Sequence, residues 1–272
     1  MRAAYLGPQG TFSEEALLAT APPDVEAVPM PTVDAVVRAV EEGTAERGVV
    51  PIESAAEGSV DATLDALATA PVTIVREVVR PISHALIAKT DLPLERITTV
   101  VSHPQALAQC APFLRSELPW ATAMAWSSTA EAVLETAARA EPWAAIGTPR
   151  AAELYGCVVL RDGLEGRAGN ETRFVWLAPE GTVAEAPAKT SLVFWGAGAR
   201  DSGWLVRCLS EFAFRGVNLT RIESRPNKER LGQYLFFVDL EGPATGERVG
   251  AAIAGLRAHC DEVRVLGTYP VG

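Results

Sequence analysis

Short apolar runs alternate along the chain with longer stretches in which apolar residues recur every three or four positions. That alternation predicts strands and helices in turn. Residues 3–6 form an apolar run ending in Gly7-Pro8-Gln9-Gly10, a buried strand and its turn. Thr11-Phe12-Ser13-Glu14-Glu15 then opens an Ala/Leu-rich helix, with Ser13 as the expected N-cap. Residues 31–42 predict a second helix, capped by Thr32, with Val33, Val36, Val37 and Val40 on one face. The run 48–52 is a strand that ends in the polar stretch Glu53 to Val60, and 61–68 is a helix. Residues 72–79 and 82–88 predict two strands joined by Arg80-Pro81, with His84 inside the second as a satisfied core residue.

Further on, the strand 98–101 runs into Ser102-His103-Pro104-Gln105-Ala106, where Pro104 suits a helix start. A strand at 123–126 precedes Ser127-Ser128-Thr129, which cap a helix over 130–138. Short strands at 143–147 and 157–160 flank a helix near 149–154. Up to about Ala178 the pattern is therefore α/β, with polar groups gathered after strands, where α/β sheets place ligands. Residues 179–188 are rich in Pro, Ala and Glu and predict a linker. Beyond them the period changes. Strands at 190–195, 217–224, 234–240 and 263–267 and helices at 204–214 and 249–259 give the order βαββαβ, a ferredoxin-like module. The first of these helices is expected to bury Leu205, Leu209 and Phe212.

Composition narrows the reading. A chain of 272 residues, 48% hydrophobic and 21% charged, is globular and long enough for two cores. Its net charge of −10 argues against nucleic-acid or anionic-membrane partners, so an anionic ligand needs local cations. Cys110, Cys157, Cys208 and Cys260 are scattered, which argues against a metal site or disulfide framework and suits a reducing cytoplasm. No signal-peptide pattern opens the sequence, and no apolar run reaches transmembrane length.

Against that background one stretch stands out. Gly169-Asn170-Glu171-Thr172-Arg173-Phe174 sets a hydroxyl, a fixed cation and an aromatic side by side after a turn. Arg173 can hold a carboxylate with two parallel hydrogen bonds, and Thr172 can donate or accept one. A plain strand with one exposed arginine fits the same triplet.

Five segments together carry a resemblance. They are Gly7 to Ser13, Val50-Pro51-Ile52-Glu53, Ser102 to Cys110, Thr172-Arg173-Phe174 and Asn218 to Pro226. In this order on one chain they resemble the prephenate dehydratase family along nearly the whole length. The resemblance implies a two-lobed catalytic region like a type II periplasmic binding protein, over residues 1–178, with its site between the lobes. It implies an ACT regulatory domain over 189–272 that binds phenylalanine, a cytoplasmic homodimer or homotetramer, and neither metal nor organic cofactor. The implied substrate contacts are Thr11, Ser13, Ser54, Gly58, Ser102, Gln105, Thr129, Arg173 and Phe174. The implied effector contacts are Gly203, Trp204, Leu205, Val206, Asn218, Leu219, Glu223, Ser224, Arg225 and Pro226. Two departures are visible. The family's Pro-Ile-Glu-Asn-Ser reads Pro51-Ile52-Glu53-Ser54-Ala55, and its Gly-Ala-Leu-Val reads Gly203-Trp204-Leu205-Val206. The indole of Trp204 is expected to point either into the effector pocket or, preferentially, onto a neighbouring subunit.

Prephenate loses carbon dioxide and hydroxide together to become aromatic, and hydroxide is the poor leaving group. The expected division of roles is Arg173 as carboxylate clamp and Thr172 as hydrogen-bond donor to the departing oxygen. Glu53, kept protonated by burial, is the expected proton source. Arogenate dehydration and non-catalytic amino-acid binding are the alternatives.

Overall fold

The computed structural model describes residues 1–165, 169–196, 201–228 and 230–272. In chain order the elements are β1 (Arg2–Leu6), α1 (Phe12–Thr20), β2 (Glu26–Met30), α2 (Val33–Glu41), β3 (Arg47–Ser54), β4 (Gly58–Ser59), α3 (Asp61–Thr69) and β5 (Val72–Pro81). Next come β6 (Ala85–Ala88), β7 (Thr99–Ser102), α4 (Pro104–Gln109), α5 (Ala111–Glu117), β8 (Thr122–Ala125), α6 (Thr129–Ala138), β9 (Trp143–Gly147), α7 (Pro149–Leu154) and β10 (Val158–Arg161). The chain closes with β11 (Glu171–Pro179), β12 (Lys189–Trp195), α8 (Trp204–Ala213), β13 (Leu219–Pro226), β14 (Tyr234–Glu241), α9 (Glu247–Arg257) and β15 (Glu262–Tyr269).

These elements make two compact units. The first comprises Met1–Thr32, Ser54–Glu57 and Val79–Thr172; the second comprises Val33–Glu53, Gly58–Val78 and Arg173–Gly272. Packing therefore does not part the chain at the expected linker: residues 189–272 share a unit with 33–53 and 58–78. Among the described residues, no helix is long and apolar enough to cross a membrane.

In the first unit β1 and β2 pair in parallel, and β10-β6-β9-β7-β8 form a five-stranded mixed sheet. Both faces of that sheet are covered. Leu86, Val100 and Ile146 pack with Ile97 and Cys110 in one cluster; Ala85, Ile87 and Val101 pack with Val133 and Ala151 in another. Burial on both faces explains why the three central strands β6, β9 and β7 read as apolar runs; the edge strands β8 and β10 are largely exposed. The strand expected over 82–88 begins only at Ala85. Before it, Ile82 N–H donates to Asn170 O, and His84 O accepts from Leu164 N–H, so the backbone there serves loops.

In the second unit the strand order is β13-β14-β12-β15-β5-β11-β3. Residues 189–269 have the βαββαβ order, and β12 through β15 pair antiparallel. Under them lies a core of Leu192, Phe194, Trp204, Cys208, Phe212, Val238, Leu240 and Leu256. The buried stripe of α8 is Trp204, Cys208 and Phe212, one position off the expected Leu205 and Leu209, because the helix presents its first residue inward and repeats every four. β15 meets β5 in parallel at Gly267 and Ile74. A Cβ at Gly267 would lie 2.2 Å from Ile74 O, so only glycine permits that approach. The valines expected on one face of α2 are the ones buried there.

Candidate active site

The first unit carries most of the polar candidates. The turn after β1 is held by its own side chains. Thr11, not Ser13, caps α1: its Oγ1 accepts from Glu14 N–H at 3.4 Å, while its hydroxyl has Leu6 O and Pro8 O within 3.1 and 3.0 Å. Ser13 is the second residue of the helix and is buried. The backbone N–H groups of this turn are partly taken up by the chain itself. Gly10 N–H donates to Glu14 Oε2 at 2.8 Å, and that carboxylate is paired with Arg150 Nε at 2.9 Å. Gly10 has φ +83°, and a Cβ there would meet Ala151 at 2.9 Å, which explains the glycine.

Ser102 does not face a ligand. It is fully buried, and its hydroxyl donates to Ile146 O at 2.6 Å, tying β7 to β9. Gln105 is exposed in the first turn of α4, where His103 Nδ1 accepts its backbone N–H. Thr129 is half-buried at the start of α6, which Ser128 caps through Glu131 N–H. Ser54 is half-buried and accepts from Ala56 N–H at 3.3 Å; Gly58 is exposed with φ +85°.

A network in this unit escaped the sequence reading. Gln109 Oε1 accepts from Asn170 Nδ2 at 3.2 Å and from His84 Nε2 at 3.1 Å, while Gln109 Nε2 donates to Glu57 Oε1 at 3.3 Å. Because the amide oxygen accepts, Nε2 of His84 carries the proton and Nδ1 is an acceptor. Among the described residues, buried His84 Nδ1 and Asn170 Oδ1 have no partner, so His84 is not the satisfied core residue expected. Burial holds its imidazole below the usual histidine range, with the Gln109 bond and the charge of Glu165 opposing. The signal was available: Gln109 lies in a segment that carried the resemblance, and Asn170 in the stretch Gly169 to Phe174.

β11 separates the Thr-Arg-Phe triplet by face, because successive strand side chains point opposite ways. Thr172 is half-buried. Phe174 is 2% exposed and belongs to the core, which removes it as a contact surface for substrate. Arg173, in the second unit, is 8% exposed, and its donors are engaged within the chain. Nε donates to Glu77 Oε2 at 2.7 Å, Nη2 to Tyr269 Oη at 2.8 Å, and Nη1 to Asp239 Oδ2 at 2.5 Å and Glu53 Oε2 at 3.3 Å. Burial disfavours the guanidinium charge, but Asp239, Tyr269 and Glu77 outweigh it and push the pKa up. The carboxylate clamp expected of Arg173 is thus corrected: each of its three nitrogens is engaged within the chain, by Glu77, Asp239, Glu53 and the Tyr269 hydroxyl.

Glu53 is corrected too. Its side chain is 39% exposed and lies 3.3 Å from Arg173 Nη1 and 3.5 Å from Arg221 Nε. The burial on which its proton-donor role rested is absent, and two guanidinium groups make it an ion-pair acceptor.

The effector candidates divide between two environments. Trp204 is 4% exposed; its indole packs with Phe194 and Phe236, and Nε1 donates to His259 O at 2.6 Å. It points neither into a pocket nor outward to a neighbour but into the module's own core. Gly203 precedes it in the left-handed region (φ +76°), Leu205 packs partly on that core, and Val206 is exposed. On β13, Glu223 accepts from Ser59 Oγ at 2.6 Å, and Arg225 pairs with Asp61 at 2.6 Å and Asp65 at 3.2 Å. Ser224 and Pro226 are exposed, Asn218 donates to Glu241 Oε1 at 3.0 Å, and Leu219 packs on the core.

These features define an α/β chain whose polar motif segments sit at strand ends and helix starts, joined to a βαββαβ module. Its family follows from comparison with known proteins. The family model for prephenate dehydratase matches residues 3–182. The chain is 38% identical over 272 residues to a prephenate dehydratase of Amycolatopsis methanolica, covering 98% of this chain and 88% of that one. It is 38% identical over 288 residues to the chloroplastic arogenate dehydratase 5 of Arabidopsis thaliana, covering 100% and 68%. A solved prephenate dehydratase of Arthrobacter aurescens, in complex with L-Phe, superposes with a TM-score of 0.91 at 37% identity, covering 99% and 90%. The chain belongs to the prephenate dehydratase family.

Proposed function

We propose that this chain converts prephenate to phenylpyruvate by decarboxylating dehydration, a carbon–oxygen lyase reaction. The observation that carries the reading is full-length similarity to a prephenate dehydratase with Thr172-Arg173-Phe174 intact. The barrier is departure of hydroxide. Thr172, half-buried at the start of β11, is the candidate hydrogen-bond donor to that oxygen. A threonine hydroxyl is too weak an acid to surrender its proton outright, so it orients or relays one. Of the substrate contacts carried by the resemblance, Thr11, Ser54, Gly58, Gln105 and Thr129 remain candidates; Ser13 and Ser102 are buried.

Residues 189–272 are read as an ACT domain that binds phenylalanine and inhibits, consistent with the βαββαβ order and with the L-Phe complex of the Arthrobacter relative. With Trp204 in the core and Arg225 paired to Asp61, the exposed effector candidates are Gly203, Val206, Asn218, Ser224 and Pro226, in a cytoplasmic dimer or tetramer.

Incubation with prephenate, reading phenylpyruvate, is the test. Thr172→Ala is expected to lower kcat by about 100-fold or more; near-wild-type turnover in that variant would remove the donor role. Similarity to an arogenate dehydratase supports a second reading, arogenate as substrate, which a parallel arogenate assay decides.

A further inference from the structure

Two of the four cysteines, far apart in sequence, meet inside the βαββαβ module. Cys208 lies midway along α8, and Cys260 follows α9 just before β15. Their sulfurs are 3.8 Å apart. Cys208 is fully buried in the module's core, while Cys260 is half-buried and packs against that core; both are free thiols. Cys110 and Cys157 belong to the first unit.

The backbone holds this pair in place from both sides. His259 O, one residue before Cys260, accepts from Trp204 Nε1 at 2.6 Å. Trp204 stands one helical turn before Cys208 on the buried face of α8. Asp261 N–H, one residue after Cys260, donates to Trp195 O at 3.0 Å. Cys260 is thereby pinned between α8 and β12. The chain after β12 closes on it as well, since a Cβ at Gly196 would lie 3.2 Å from Cys260 Cα. A disulfide sets its sulfurs about 2.0 Å apart. Bonding therefore asks for an approach of less than about 2 Å, shared between two side chains.

We propose that Cys208 and Cys260 are a redox-convertible pair, a modification site at which a low-molecular-weight disulfide drives a covalent link between α8 and the segment joining α9 to β15. The step is thiol–disulfide exchange. The Cys260 thiol, the partly exposed one, loses its proton and attacks one sulfur of the small disulfide. A mixed disulfide forms, and one small thiolate leaves. The Cys208 thiol then loses its proton and attacks the Cys260 sulfur, releasing the second small thiolate. Two protein thiols are oxidised, one small disulfide is reduced, and the two protons end on the released thiols. Burial pushes both cysteine thiols above their usual range, so closure is slow and follows sustained oxidation. In a reducing compartment the pair is open at rest. Once closed, the link restricts the unfolded chain of the module and so stabilises its fold.

The test equilibrates the full-length protein with mixtures of reduced and oxidised glutathione, quenches with acid, alkylates under denaturing conditions and maps peptides by mass spectrometry. The oxidised wild type is expected to be two hydrogens lighter and to keep only Cys110 and Cys157 open to alkylation. It should yield a cross-linked peptide pair carrying Cys208 and Cys260. Its melting temperature should rise by roughly 5–10 °C and return when dithiothreitol is added. Cys208→Ala should stop at a glutathione adduct on Cys260 and show no such rise. A persistent adduct on wild-type Cys260, a cross-link that forms only in urea, or four alkylatable cysteines after prolonged oxidation would each overturn the proposal. So would a linked protein that melts no higher than the reduced one.

Discussion

Single residues changed role once their neighbours were known. Trp204 replaces a small residue of the family pattern, and its indole became part of the module's core. Trp204→Ala is therefore expected to cost about 3–5 kcal/mol of stability, by cavity formation and loss of the Nε1 hydrogen bond, rather than merely tuning effector affinity. Urea denaturation followed by circular dichroism checks this; a midpoint like the wild type's would put the ring outside the core. His84 makes a second residue-scale prediction. Its folded-state pKa is depressed, first by burial, whereas the unfolded chain titrates near about 6.5. The unfolded state then binds more protons in acid, so the stability His84 contributes is complete above about 6.5 and is lost as pH falls through the lowered folded value. Melting temperatures between about pH 7.5 and pH 5 should fall more steeply for the wild type than for His84→Gln; parallel slopes would refute the assignment.

At the scale of elements, β13 is the most instructive. Its alternate residues Arg221, Glu223 and Arg225 all turn toward the segment from Glu53 to Asp65. Arg221 Nη2 donates to Ser59 Oγ at 2.5 Å, while its Nε, 3.5 Å from Glu53 Oε2, has ion-pair separation without hydrogen-bond geometry. The strand expected to form an effector pocket is thus stitched on one face to β3, β4 and α3. Burial sets the order of importance. The Arg221 side chain is 7% exposed, whereas Arg225 pairs with Asp61, itself 60% exposed. Arg221→Ala should cost about 2 kcal/mol, the worth of a hydrogen bond to a charged group. Arg225→Ala should cost about 1 kcal/mol or less, as solvated pairs do. The reverse ranking in urea midpoints would mean that the stripe is not organised as described.

For the whole molecule, the consequential observation is that residues 189–272 share a compact unit with 33–53 and 58–78. The family model ends at residue 182, yet a chain cut there would lose the β15 partner of β5 and strip Arg173 of Asp239 and Tyr269. Removing partners from a buried charge is strongly destabilising. A fragment of residues 1–182 should accordingly lack a cooperative unfolding transition, lose near-UV dichroism and bind ANS. Cooperative unfolding of that fragment would make the module dispensable for folding. In the full chain, inhibition by phenylalanine would need a coupling free energy of about 1–3 kcal/mol between the module and the reaction site.

Much of this was legible in the sequence. The positions of most helices and strands, the βαββαβ order and the family all follow from local pattern and short motifs, because apolar period and capping residues act over a few neighbours. The roles of Arg173, Glu53, Phe174, Ser102 and Trp204 did not follow. Each depends on which distant side chains share its surroundings: Arg173 meets Asp239, 66 residues away, and Glu77, 96 residues away. A charged side chain reads the same in a sequence whether it faces a ligand or a buried acid. Only the tertiary structure, by burying the guanidinium among the protein's own carboxylates, decided that the cation of the central motif is engaged within the chain.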